Sequence, residues 1–110
     1  METINEIADA VHANARAHGF HPPESEIQFM ANQCNNLHCE ISELWEAWRA
    51  GKDSEMCDKD INLTCTEEEL ADLIIRALDI SRRLNIDILN AINVKHKYNL
   101  TRPFLHGKLN

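Results

Sequence analysis

The chain has 110 residues, enough for one domain, and 44% of them are hydrophobic, so a buried core is expected. Its formal net charge of -7 excludes non-specific binding to a nucleic-acid polymer, which requires a basic surface. A phosphorylated substrate is compatible with this charge if a cation lies between carboxylates and phosphates. No apolar segment reaches the length of a membrane span. Without a signal-peptide pattern at the N-terminus, we expect a cytoplasmic protein whose four cysteines are reduced.

Four helices are predicted, in a single all-α domain that spans residues 1–110. The first covers about residues 3–18 and the second about residues 25–50. Apolar residues of the second helix recur at alternating steps of three and four, the pattern of a seam packed along a helical bundle. They are Ile27, Met30, Cys34, Leu37, Ile41, Leu44 and Trp48. A polar loop of residues 51–65 follows, which is long for a compact domain.

The third helix is predicted from Thr66 to about Leu84. The fourth is predicted from an N-cap at Asp87 to about Asn99, since an aspartate there accepts hydrogen bonds from free first-turn amides. The third helix is apolar on most sides, which is typical of the centre of a bundle or of a subunit interface. We therefore expect a four-helix bundle completed as a homodimer or a dimer of dimers, because so small a domain buries a limited share of its surface alone.

Two pairs of carboxylates lie beside the apolar stripes of the helices. Glu40 and Glu43 are three residues apart and share one face of the second helix, and Glu69 and Asp72 do the same on the third. Four such side chains, brought together by antiparallel helices, suit Mg²⁺, or Mn²⁺ in its place. The alternative is ordinary helix-surface chemistry, with Glu69 as the capping-box partner of Thr66. The acids would then form ion pairs four residues apart, namely Asp72 with Arg76 and Asp79 with Arg83.

Three motifs give the chain a resemblance to a known family. The first two are the acid pairs, which resemble the ExxE…ExxD signature of MazG-like nucleotide pyrophosphohydrolases. The third resembles that family's C-terminal Lys-x-x-x-Asn-x-x-Arg-Pro element and consists here of Lys95, Asn99, Arg102 and Pro103. The resemblance covers roughly residues 25–108. One departure is Cys39, which stands where many members carry a further glutamate before the first motif.

The resemblance implies an enzyme that hydrolyses nucleoside triphosphates between the α and β phosphates with bound Mg²⁺. It assigns metal binding, and with it catalysis, to four acids: Glu40, Glu43, Glu69 and Asp72. It also implies that Lys95, Asn99 and Arg102 contact the substrate phosphates. Gln33 and Asn36 lie on the stripe of the first acid pair, where neutral amides can hydrogen-bond a base or ribose, or can equally be solvated.

Two alternative functions are compatible with the same residues. A phosphoribosyl-ATP pyrophosphatase-like enzyme would share the helical fold and the chemistry, so the sequence does not separate it from the first hypothesis. A non-catalytic helical interaction module would carry its acids as surface charges. Magnesium-dependent release of pyrophosphate from a panel of nucleotides distinguishes these possibilities.

Overall fold

A computed structural model describes residues 2–107 of the chain and the side chains of residues 2–105. Residues 1 and 108–110 of the predicted domain lie outside the described residues. The described part contains four α-helices and no strand, which confirms the predicted all-α class. The helices are α1, Ile4–Ala17; α2, Glu26–Arg49; α3, Cys65–Arg83; and α4, Ile88–Leu100, followed by a 3₁₀ helix at Phe104–Gly107. None of the helices described is both long and apolar enough to cross a membrane.

Side-chain caps determine where three of the helices begin. Thr3 caps α1 and Ser25 caps α2, and each side chain accepts a hydrogen bond from the backbone amide three residues later. Asp87 caps α4 as predicted. Its carboxylate also accepts a hydrogen bond of 2.9 Å from Asn5, which ties the start of α4 to the start of α1. The termini of these helices are therefore set by local chemistry that the sequence displays.

The start of α3 differs from the prediction. Its N-cap is Thr64 rather than Thr66, and its capping-box partner is Glu67 rather than Glu69. The Glu67 amide donates to Thr64 Oγ1 at 3.1 Å, and Glu67 Oε1 accepts from the Thr64 amide at 2.9 Å. Both threonine–glutamate pairs have the spacing of a capping box. The upstream pair forms because the preceding loop pairs with itself at Thr64, and this leaves Glu69 without a capping role.

Helix α3 is central, and it packs against α2 and against α1, whereas α4 packs mainly on α1. The buried apolar side chains of the described residues are few, namely Ala8, Phe29 and Leu78. The radius of gyration is 16.3 Å, above the value of about 13 Å expected for a compact chain of this length. The single chain therefore buries little apolar surface for its size.

The predicted apolar seam of α2 is only partly covered within the chain, with half-buried Met30, Leu37 and Leu44. Ile27 is 85% exposed, and Ile41 and Trp48 are also exposed. The buried residues of α2 are Phe29, Gln33 and Glu40. Within the single chain the predicted seam is therefore packed only in part, because α3 meets α2 mainly along the neighbouring stripe that carries the carboxylates. An apolar face of α2 is thus left exposed to solvent.

Candidate metal centre

Three of the four predicted carboxylates meet between α2 and α3, and the fourth, Asp72, lies near them. Oxygen atoms of Glu40, Glu43 and Glu69 lie within 4.8 Å of one another. Asp72 borders the same cavity as Glu40, and the charge of Glu40 acts on it. Because α2 and α3 run antiparallel, Glu43 lies next to Glu69 while Glu40 lies next to Asp72. The acid cluster, as these four residues are called below, thus joins two acid pairs that are remote in sequence.

Glu40 is the buried member of the acid cluster, with 7% of its surface exposed. Its Oε1 accepts a hydrogen bond of 2.7 Å from Arg76 Nε, so Arg76 pairs across the helices and not with Asp72 as the surface alternative predicted. Its Oε2 is buried without a hydrogen-bond partner, as is Oε2 of Glu69. A buried carboxylate oxygen without a partner is costly. A cation between these oxygens would remove that cost, so the residues fit a bound metal ion.

The pKa values of two cluster acids are raised. Burial, followed by the hydrogen bond and the charge of Glu43, raises the pKa of Glu69 from near 4.5 to about 7. Burial also raises the pKa of Asp72, and the charge of Glu40 adds to this, while Lys59 and Arg76 act in the opposite direction. Raised values are expected where carboxylates crowd together without enough positive charge, which a divalent cation supplies.

A first cavity, of about 430 Å³, opens on one side of the acid cluster between α1, α2 and α3. Glu40 and Asp72 border it. Much of the remaining wall is apolar and includes Val11, Phe20 and Ile75. Cavities with an apolar wall and a few polar groups are typical of small-molecule sites. This cavity therefore suits a ligand with a flat or apolar portion beside the carboxylates.

A second cavity, of about 820 Å³, opens on the other side of the acid cluster. It lies between the end of α2, the loop that follows and the start of α3. Glu43 and Glu69 border it, and two cations of the loop, Lys52 and Lys59, also line it. Acids and lysines thus share one space, which suits a ligand that is itself anionic and accompanied by a metal ion.

The other predicted site residues are not all brought to the acid cluster. Gln33 is buried and lines the first cavity, whereas Asn36 is half-buried and lines neither cavity. The remaining three, Lys95, Asn99 and Arg102, lie on or just after α4 and line neither cavity. Lys95 and Arg102 approach the ring of Tyr98, at 4.8 and 5.6 Å from its centroid. The carboxamide oxygen of Asn99 is buried without a partner. In the single chain, the predicted phosphate-binding element is therefore separate from the two cavities.

A second polar cluster was not predicted from the sequence. The carboxylate of Asp79 on α3 accepts from His12 Nδ1 at 2.7 Å and from His21 Nε2 at 2.8 Å. Asp79 therefore does not pair with Arg83, which instead binds Glu26 at 2.6 Å. An arginine only donates, and Arg83 lies 3.2 Å from His21 Nδ1, so the ring proton of His21 is on Nε2, directed at Asp79. These three residues connect α1, the segment before α2, and α3 through hydrogen bonds.

Comparisons of the chain with models of protein families, with curated proteins and with solved structures give no match. Function must therefore be inferred from the chemistry of the site itself. That site offers four carboxylates, two of which have buried, unpartnered oxygens. Oxygen ligands of this kind bind hard divalent cations, and phosphate oxygens are the usual further ligands of such ions.

Proposed function

We propose that the protein is a Mg²⁺-dependent nucleoside triphosphate pyrophosphohydrolase, which cleaves the α–β phosphoanhydride to give a nucleoside monophosphate and pyrophosphate. The observation that supports this most is the buried Glu40, whose Oε2 has no partner while two further carboxylates approach within 4.8 Å. The whole acid cluster would hold the Mg²⁺, and Mn²⁺ could replace it. The four free thiols favour a reducing compartment such as the cytoplasm.

The reaction consumes water and needs no redox partner. The water oxygen bonds to a phosphorus atom beside the bridging oxygen, the bond from that phosphorus to the bridging oxygen breaks, and a proton leaves to solvent. Bound Mg²⁺ would polarise the phosphate oxygens and lower the pKa of a coordinated water. The chain contributes a preorganised set of carboxylates on two packed helices. Arg76 orients Glu40 through the hydrogen bond at 2.7 Å.

The two cavities suggest how the substrate would lie. The nucleoside would occupy the first cavity, against Phe20 and Ile75, with the Gln33 carboxamide able to hydrogen-bond a base or ribose. The phosphates would extend past the acid cluster into the second cavity, where lysines line the wall. This arrangement would place the α–β bond beside the carboxylates, and Lys52 and Lys59 near the distal phosphates.

Lys95, Asn99 and Arg102 would contact phosphate in an assembled oligomer rather than in a single chain, since α4 packs mainly on α1. The exposed apolar stripe of α2 and the exposed Leu70 and Ile74 of α3 support such an assembly. A homodimer or a dimer of dimers would cover these side chains and could bring a second α4 to each acid cluster. The oligomer is thus part of the proposed function and not only a matter of stability.

The experiment is a comparison of Glu43→Gln with the parent protein. Glu43 is exposed, so the variant keeps its shape and its fold but loses one ligand charge. We expect Mg²⁺-dependent pyrophosphate release from a nucleoside triphosphate panel to fall by about 100-fold or more. Glu24→Gln makes the same chemical change outside both cavities and should hydrolyse like the parent. Equal rates in Glu43→Gln and the parent would show that the acid cluster is not the catalytic site.

A further inference from the structure

The loop between α2 and α3 forms a short hairpin whose tip carries Lys59. Met56 pairs with Thr64 in a single antiparallel bridge, and two backbone hydrogen bonds of 2.9 and 2.7 Å flank it. Because Thr64 is also the N-cap of α3, the hairpin is anchored to the helix that carries Glu69 and Asp72. The long polar loop predicted from the sequence therefore has a defined attachment next to the acid cluster.

Lys59 points from this hairpin to the carboxylates. Its Nζ forms an ion pair with Glu68, the neighbour of Glu69, and lies 3.3 Å from Asp58. The Glu68 side chain is 12% exposed, whereas that of Lys59 is 60% exposed. The carboxylate is thus sheltered while most of the lysine stem remains in solvent.

The carboxylates near Lys59 outnumber the cations that pair with them. The acid cluster together with Glu68 presents five carboxylates, and their cationic partners among the described ion pairs are Arg76 and Lys59. Arg76 is bonded to the buried Glu40. Lys59 lies in the wall of the second cavity on a solvated stem, so its ammonium group can turn from Glu68 to a ligand in that cavity. A divalent cation at the cluster repels it, and a polyphosphate in the cavity attracts it.

We propose that Lys59 is a mobile counter-ion that pairs with Glu68 in the free protein and binds the phosphates when Mg²⁺ and a polyphosphate enter. Lys59 thereby competes with the metal ion in the absence of substrate and binds the substrate in its presence. The proposal rests on the proposed function for its choice of a polyphosphate. It assigns a binding role to a lysine outside the three sequence motifs.

The test uses the full chain, treated with a chelator, and two probes: Mg²⁺ alone, and inorganic pyrophosphate with Mg²⁺. Lys59→Met keeps the apolar stem and removes the charge. Calorimetric titration should show Mg²⁺ alone bound about threefold tighter and Mg²⁺–pyrophosphate bound about tenfold weaker than by the parent. Lys59→Arg should restore both values. Lys97→Met, on the exposed surface of α4, makes the same charge change and should alter neither.

An ordinary surface ion pair predicts a different result. If Lys59→Met matches Lys97→Met for Mg²⁺ alone, Lys59 does not compete with the metal ion and the proposal is wrong. It is equally overturned if pyrophosphate binding is unchanged. A parent that binds both probes but hydrolyses no nucleotide would remove the proposed function, and the two binding constants would still decide the role of Lys59.

Discussion

Replacing Glu69 by glutamine should stabilise the metal-free protein by an amount that grows as the pH rises above about 4.5 and is complete above about pH 7. The pKa of Glu69 is raised from near 4.5 to about 7, chiefly by burial and then by Glu43. A carboxyl whose pKa rises on folding binds more protons in the folded state, so the free energy of unfolding falls as the pH increases from about 4.5 to about 7. Above that range the ionised Glu69 opposes folding. Glutamine keeps the shape of the side chain but cannot ionise.

The size of the effect follows from the same shift. A pKa raised from near 4.5 to about 7 corresponds to at most about 3.5 kcal/mol. Glu69 is only half-buried, so solvent screening reduces the expected gain at pH 8 to about 1 kcal/mol. For a domain of this size, that gain raises the melting temperature by about 5 °C. Near pH 4 both side chains are neutral and the difference should vanish.

The assay is thermal unfolding of parent and variant in chelator at pH 4, 6 and 8, and then at pH 8 with Mg²⁺. Added Mg²⁺ should stabilise the parent, since it binds only the folded cluster, and should stabilise the variant less. Glu67→Gln is the matched control, two residues away. The pKa of Glu67 is lowered by its capping hydrogen bonds, so removing its charge should weaken folding at pH 8 and matter less at pH 4. A Glu69→Gln gain of equal size at pH 4 and pH 8 would refute the electrostatic reasoning.

Two further predictions concern the fold and the assembly. Asp79→Ala should lower the free energy of unfolding, measured by urea titration, by about 3 kcal/mol, because the ring donors of His12 and His21 lose their acceptor. A loss below about 1 kcal/mol would show that these hydrogen bonds do not hold the three segments together. Light scattering at micromolar concentration should give the mass of a dimer or tetramer. Ile41→Glu introduces a charge on the exposed stripe of α2 and should reduce that mass. A parent protein with the mass of one chain would contradict the proposed assembly.

Features that depend on interactions between residues close in sequence were predicted correctly. The four helices begin and end close to the predicted residues, and Asp87 caps α4 as expected, because caps are made by side chains three residues from the amides they bind. The pairing of acids on one helix face was equally predictable from the helical repeat. The N-cap of α3 was misplaced by two residues, since two overlapping capping boxes were available and a loop contact selected the upstream one.

Tertiary structure decided which faces of these helices meet. The spacing of α2 offered an apolar stripe and an acidic stripe side by side, and α3 packs on the acidic one. That choice buries Glu40, leaves Ile41 exposed and gives Arg76 a partner 36 residues away. An apolar stripe on a helix indicates that this face is stabilised by packing against another surface, but it does not identify that surface. In an incomplete bundle, the covering surface need not belong to the same chain.

Because local spacing does not show which helix faces meet, neither the hydrogen bonds of Asp79 nor the ion pair of Lys59 could be predicted from the sequence. Asp79 meets His12 and His21 across 67 and 58 residues, so no local spacing marks the three as a group. Lys59 reaches Glu68 only because the loop folds back as a hairpin. Short-range spacing determines which side chains share a helix face. Burial, ion pairing and raised pKa values depend on what faces that surface across the fold, and only the packed chain specifies this.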